Sequence, residues 1–152
     1  MQTIRPFLWF DGKAEEAATF YVSVFGQDSS VGDVSRSDDG SARGVPFTLR
    51  GQEFLAFNGG PMFTFNPAVS FFVRCESQAE VDHFWEKLSE GGEKSRCGWL
   101  TDKYGLSWQV IPTALPEMLD DEDEEKSDRV MQAMLQMTKI DIAALKRAYD
   151  GA

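Results

Sequence analysis

Residues 6–21, PFLWFDGKAEEAATFY, are echoed 64 residues further on by residues 70–85, SFFVRCESQAEVDHFW. Phe7 lies over Phe71, Glu16 over Glu80 and Phe20 over Phe84, while Leu8 meets Phe72 and Tyr21 meets Trp85. Identities are few, but the pattern is shared. A short apolar run is followed by a polar break and then by an amphipathic stretch ending in an aromatic pair. A repeat of this kind describes a chain built from two copies of one supersecondary unit.

Outward from that stretch, each copy reads as β-α followed by strands. In the first, residues 3–10 are rich in aromatic and branched side chains, as strands are. Ala14, Ala17, Ala18, Tyr21 and Phe25 recur at helical spacing, and Gly26 stands where a C-cap glycine would. Asp38-Asp39-Gly40 is a turn between strands near 31–36 and 43–50, and Gly51-Gln52 leads into 53–58. In the second copy, residues 68–75 are the strand. Ser77, with Glu80 three residues on, makes a capping box. Val81, Phe84, Trp85 and Leu88 form the buried stripe up to Gly91-Gly92. A short strand near 92–95 and clearer ones near 96–101 and 106–111, joined by Asp102-Lys103-Tyr104-Gly105, complete it. Between the copies, Asn58 to Pro67 has two glycines and two prolines and reads as a loop, in which Phe63 and Phe65 call for burial.

After Pro112 the pattern changes. Asp120 to Glu125 is an unbroken acidic run, placed where a helix N-terminus favours negative charge. Val130, Met134, Met137, Ile140, Ile142, Leu145 and Tyr149 follow at roughly helical spacing, predicting a helical tail in one or two pieces. Met131, Met134 and Met137 read as packing or dimer-interface residues.

Composition excludes several functions. The chain has 152 residues, 25 acids, 15 bases and one histidine, for a net charge of −10. A lone His83 cannot build a three-histidine zinc site or an HExxH centre. The acidic balance argues against nucleic-acid binding and against anionic membranes. No apolar run approaches the roughly 18 residues of a membrane span, and no signal-peptide core is visible. Cys75 and Cys97 are too few for a disulfide framework, so the expectation is a cytoplasmic protein with reduced thiols.

Two βαβββ copies resemble the vicinal oxygen chelate fold of glyoxalases and bleomycin-resistance proteins. The segments FNGGP (57–61), SFFV (70–73), CGWLTDKYGLSWQVIP (97–112) and MTKIDIAAL (137–145) resemble its PhnB-like branch. Many members of that branch carry the label 3-demethylubiquinone-9 3-methyltransferase. The resemblance implies an α+β fold in which two βαβββ modules form a cupped mixed sheet. A single domain would span 1–115, with repeats at about 3–58 and 67–112. An acidic linker and C-terminal helices would fill 116–152. It also implies a homodimer, to which the tail contributes.

In the metal-dependent members, the first and last strands of each copy supply four ligands, usually His and Glu. The corresponding positions here are Pro6, Asn58 (or Ala56), Ser70 and Gln109. Proline offers no side-chain donor and the others are neutral, so no metal and no cofactor is expected. Methyl transfer of the common type needs a glycine-rich turn between a strand and a helix. Gly59-Gly60-Pro61 leads to no helix, so that activity is not expected either.

Side chains alternate along strands. If Ser70 faces the cup, so do Phe72 and Arg74; by the same parity Leu8 and Phe10 join Pro6, and Ser107 and Ile111 join Gln109. The predicted ligand-binding set is Asn58, Ser70, Phe72, Arg74, Trp99 and Gln109: apolar and aromatic, with a few neutral hydrogen-bonding groups and one arginine for a carboxylate or phosphate. Cys97, near Lys94, Arg96 and Lys103, is the one candidate nucleophile. His83 reads as a helix histidine, Cys75 as core, and Asp102 as a turn residue. Three functions remain open: a metal-free binder of an apolar or aromatic small molecule; an isomerase, lyase or transferase using Cys97, Gln109 or Arg74; and a structural dimer with a packed cup.

Overall fold

A computed structural model describes all residues, Met1–Ala152. The first unit, Met1–Phe65, contains β1 (Phe7–Phe10), α1 (Ala14–Phe25), β2 (Ser30–Val31), β3 (Ser35–Arg36), β4 (Ala42–Leu49) and β5 (Gln52–Asn58). Its sheet runs β1-β5-β4-β2, with β3 also on β4; β1 is parallel to β5 and the other pairs are antiparallel. Arg50 and Gly51, with φ of 49° and 87°, form the two-residue turn between Leu49 and Gln52. Positive φ at both central residues is what a tight hairpin requires. Helix α1 packs on β4 and β5 through its predicted face, with Ala14, Ala17, Ala18 and Tyr21 at 0% exposure.

The N-terminus of α1 is capped from a distance. Lys13 provides no side-chain cap, and Asn58 Oδ1 accepts the Ala14 N–H at 2.9 Å instead. Its Nδ2 donates to the Ala42 carbonyl at 3.0 Å. Gly59 follows because a Cβ there would lie 2.2 Å from the Trp9 ring, and the Trp9 indole N–H donates to Gly60 O at 2.9 Å. The FNGG segment therefore joins β5, α1 and Trp9.

The second unit, Asn66–Ala152, contains β6 (Ser70–Cys75), α2 (Gln78–Ser89), β7 (Glu93–Lys94), β8 (Trp99–Thr101) and β9 (Ser107–Pro112), then α3 (Ala114–Leu119), α4 (Glu124–Leu135) and α5 (Ile142–Asp150). Its sheet runs β6-β9-β8-β7, and β6 and β9 are parallel. The Ser77 side chain accepts the Glu80 N–H, and the Glu80 carboxylate accepts the Glu76 N–H. Val81, Phe84, Trp85 and Leu88 are buried, as their spacing predicts. The chain is α+β, with two mixed sheets and C-terminal helices.

The stretch from Val130 to Tyr149 lies in two helices, α4 and α5, and a third, α3, precedes them. Asp141 caps α5 through the Ala144 N–H, and Asp123 caps α4 through the Glu125 and Lys126 N–H groups. Within the acidic run, the exposed Asp123 is thus a helix cap. Val130, Ile140 and Leu145 are fully buried against Ile111 and Leu115. Gly98 allows this docking, because a Cβ there would lie 2.8 Å from Ile111 Cδ1 and 3.2 Å from Ile140 Cγ1. The N–H groups of Cys97 and Gly98 donate to the carbonyls of Met137 and Thr138. Gln78 completes the attachment, donating to Ile140 O and accepting the Ile142 N–H.

One expectation about the first unit is corrected. Leu8 and Phe10 are buried at 5% and 4% on the α1 side of the sheet, while Phe7 is 55% exposed on the other face. The two helices align at an offset of 64, Ala14 with Gln78, but the strands align at 65, Phe10 with Cys75. The connection Asp11-Gly12-Lys13 has one residue more than Glu76-Ser77. Because side chains on a strand alternate, a one-residue slip sends every one to the opposite face.

Candidate functional site

Helix α2 covers one face of the second sheet, where Val73, Cys75, Leu100, Trp108 and Val110 are buried. The opposite face carries most of the predicted ligand-binding residues. Phe72 is directly opposite Gln109, and Gln109 is directly opposite Trp99, so the three form a row across β6, β9 and β8. Ser70, Ser107 and Thr101 make the next row. Gln109 Nε2 donates diagonally to Ser70 Oγ at 3.0 Å. Phe72 is 57% exposed and Trp99 half-buried. At the other end of the strands, Ile111 lies under the tail helices and bounds the open face.

Arg74 extends the β6 side of this face. Its Nε lies 3.5 Å from Glu76 Oε1, and both side chains are largely exposed. Exposed pairs of this kind are weak, so the guanidinium can exchange its partner.

Asn58 belongs to the first unit, and both ends of its amide are used in capping α1 and holding β4. Cys97 sits at the β7–β8 connection with φ of 57°, partly buried beneath the tail. Its thiol donates to Met134 O at 3.5 Å. This accounts for the residue as part of the tail's seat. His83 is on α2, edge-on to the Phe84 ring. Asp102 is buried at 2% and accepts the N–H groups of Tyr104 and Leu106 and the indole N–H of Trp108, so it organises the β8–β9 turn.

The family described as 3-demethylubiquinone-9 3-methyltransferase matches residues 2–111. The chain belongs to that family. It is a member of the PhnB-like branch of the vicinal oxygen chelate superfamily. Among solved structures, a PhnB protein of Bacillus cereus is 40% identical, with a TM-score of 0.69, covering 74% of this chain and 100% of its own. A Pseudomonas aeruginosa protein is 20% identical, with a TM-score of 0.62, over 74% of this chain and 98% of its own. The fosfomycin resistance protein FosX of Listeria monocytogenes, crystallised with Mn(II) and sulfate, shares the fold. It is 16% identical with a TM-score of 0.52, over 71% of this chain and 90% of its own. No curated protein matches the chain. The family match stops at Ile111, so α3 to α5 lie outside it.

A metal of the kind held elsewhere in the superfamily does not fit this PhnB-like chain's residues. In the second unit the first- and last-strand positions are Ser70 and Gln109, neutral groups already bonded to each other. In the first unit the corrected strand offset replaces Pro6 by Arg5, a cation. Nowhere do three His, Cys, Asp or Glu side chains gather closely enough to hold an ion.

Sequence reasoning missed two features of the first sheet. Its open face is aromatic: Phe57 packs on Phe7 at 5.3 Å and on Trp9 at 5.6 Å, and Phe63 meets Trp9 edge-on at 5.0 Å. Phe63 nevertheless remains 59% exposed, whereas Phe65 is edge-on to Phe10 at 5.3 Å. The second feature is Arg5. The longer Asp11-Gly12-Lys13 connection was the available signal for both.

Proposed function

We propose that the protein is a metal-free binder of a small organic molecule, seated on the open face of the second sheet. The observation that carries this reading is the Ser70–Gln109 hydrogen bond flanked by Phe72 and Trp99. Two aromatic rings offer a platform for a flat or apolar group. The hydroxyl and amide can bond to a polar substituent, and Arg74 can reach a carboxylate or phosphate at the edge. Few polar groups among apolar ones are the usual composition of a ligand site. Cys97 bonds to Met134 O, so the reading gives turnover through that thiol no part.

We further propose that the protein is a cytoplasmic homodimer. The exposed rings of Phe7, Phe63 and Phe72 supply apolar area of the kind that marks an interaction or ligand surface. No helix is long and apolar enough to cross a membrane.

Native mass spectrometry of untagged protein purified from cells tests both readings. The expected spectrum shows a dimer carrying one organic adduct per chain, and the adduct disappears in Ser70→Ala/Gln109→Ala and in Trp99→Ala. An adduct that survives those substitutions would place binding elsewhere. One metal ion per chain would overturn the metal-free reading, and a monomer at micromolar concentration the dimeric one.

A further inference from the structure

A row of polar side chains crosses the sheet of the first unit. Glu53 pairs with Thr48 across β5 and β4, and Thr48 pairs with Ser30 across β4 and β2. The parallel register sets Phe7 beside Leu55, so two residues earlier it brings Arg5 beside Glu53. Arg5, Glu53, Thr48 and Ser30 thus form one polar row across the sheet, on the face opposite α1. The intervening Phe47 and Phe54 are buried on the other side. Together with Met1, Gly32 and Pro46, and running past Phe47 and Phe54, this row lines a cleft of about 350 Å³.

The segment bearing Arg5 is fixed in place. Gln2 Nε2 donates to Gly51 O at 2.7 Å, and Gln2 Oε1 accepts from the Glu53 N–H and from Gln52 Nε2, both at 3.0 Å. The Pro6 carbonyl accepts the Leu55 N–H at 3.0 Å. Arg5 is nevertheless partly buried without an ion pair or side-chain hydrogen bond, in a chain with 25 acids. Glu53 uses one carboxylate oxygen, accepting the Gln2 N–H at 3.2 Å, and does not pair with Arg5. The hydroxyls of Ser30 and Thr48 make no hydrogen bond within the protein.

A partly desolvated guanidinium normally takes a carboxylate partner, in bidentate form where geometry allows. Here Arg5 and Glu53, a cation and an anion, line one cleft without pairing with each other. A simple anion would meet Glu53 and the field of a chain carrying −10, and a simple cation would meet Arg5. A molecule carrying both charges meets neither penalty. We propose that this cleft binds a small zwitterion of the α-amino-acid class. Its carboxylate lies on Arg5 and its ammonium on Glu53. The hydroxyls of Ser30 and Thr48 complete the hydrogen bonds, and its apolar side chain lies against Pro46. The binding is non-covalent.

Three matched probes test the assignment by NMR titration of the full chain: L-leucine, 4-methylpentanoate, which lacks the amine, and 3-methylbutylamine, which lacks the carboxylate. L-leucine is expected to give saturable shifts at the amides of Ser30, Thr48 and Glu53, with each half-molecule binding more than about tenfold more weakly. Arg5→Gln and Glu53→Gln, each with a spectrum as dispersed as the parent's, are expected to lose saturation, and Arg5→Lys to keep part of it. The proposal is overturned if L-leucine produces no saturable shift, or if 4-methylpentanoate binds as tightly as L-leucine. It is also overturned if Arg5→Gln binds undiminished, or if the shifts fall on Trp99 and Gln109 instead.

Discussion

Replacing Asp102 by alanine should be among the most damaging single changes in the second unit, and the structure says by how much. Its carboxylate is buried at 2% and accepts three donors: Tyr104 N–H at 2.9 Å, Leu106 N–H at 3.0 Å and Trp108 Nε1–H at 2.8 Å. Hydrogen bonds to a charged acceptor contribute roughly 1.5–3 kcal/mol each, and a buried donor left unpaired costs about 1–3 kcal/mol. The three losses are not equal. The Tyr104 amide lies in a turn beside exposed Lys103 and can regain water. The Trp108 ring is 2% exposed and its indole N–H cannot. Removing a buried charge also returns some desolvation cost. The expected net loss for Asp102→Ala is therefore about 3–5 kcal/mol, out of a total of roughly 5–15 kcal/mol for a domain of ordinary stability. Asp102→Asn should lose less, about 1–3 kcal/mol, because one amide oxygen can serve either the turn or the indole but not both. Urea unfolding followed by Trp fluorescence and by far-UV circular dichroism measures these differences, with Asp120→Ala, on an exposed acid, as a near-neutral control. A loss below about 1 kcal/mol for Asp102→Ala would refute the reasoning, since it would mean that the indole and both amides find other partners.

Three further outcomes are expected. Asn58→Ala should cost about 0.5–2 kcal/mol, the range for losing an N-cap, and amide exchange should accelerate in the first turn of α1. Gly98→Ala should destabilise by more than about 1 kcal/mol, because φ is +82° and the new methyl would sit 2.8 Å from Ile111 Cδ1. Faster exchange should follow at the Cys97 and Gly98 amides, which bond to Met137 and Thr138. The tail should respond to pH through one hydrogen bond, Tyr149 O–H to Asp121 Oδ2 at 2.5 Å. That bond holds the Asp121 carboxyl below its usual range and raises the Tyr149 phenol. Its stabilisation is complete between the ordinary carboxylate value near ~4 and the ordinary phenol value near ~10. It fades as pH falls through the lowered carboxyl value or rises through the raised phenol value. The difference in unfolding midpoint between the parent and Tyr149→Phe should accordingly be largest near neutral pH and shrink toward both extremes.

Much of the architecture was legible because helices and turns are specified locally. The α1 and α2 stripes, the Ser77 capping box, the Gly26 cap and the short strand near 92–95 all depend on residues within a few positions of one another. The grouping of Ser70, Phe72, Arg74 and Gln109 on one face was legible too, because alternation within a strand needs no knowledge of its neighbours. The tail was less so. Its helical spacing continues past Gln136, but the chain breaks there and restarts at Asp141, where docking on Gln78 and Ile111 decides the path.

The face of the first sheet shows the limit most clearly. The sequence determined that a strand lies within residues 3–10 and that a helix carries Ala14 to Phe25, since each pattern is carried by its own stretch. Only the tertiary structure decided that Phe7 and Trp9, not Leu8 and Phe10, take the open face, and that Arg5 joins Glu53. One additional residue in Asp11-Gly12-Lys13 shifts the strand relative to the helix. A helical stripe is broad enough to tolerate a shift of that size, but an alternating strand inverts under it. Asn58 shows the same dependence on long-range contacts, because its role as a cap is set by Ala14, 44 residues away.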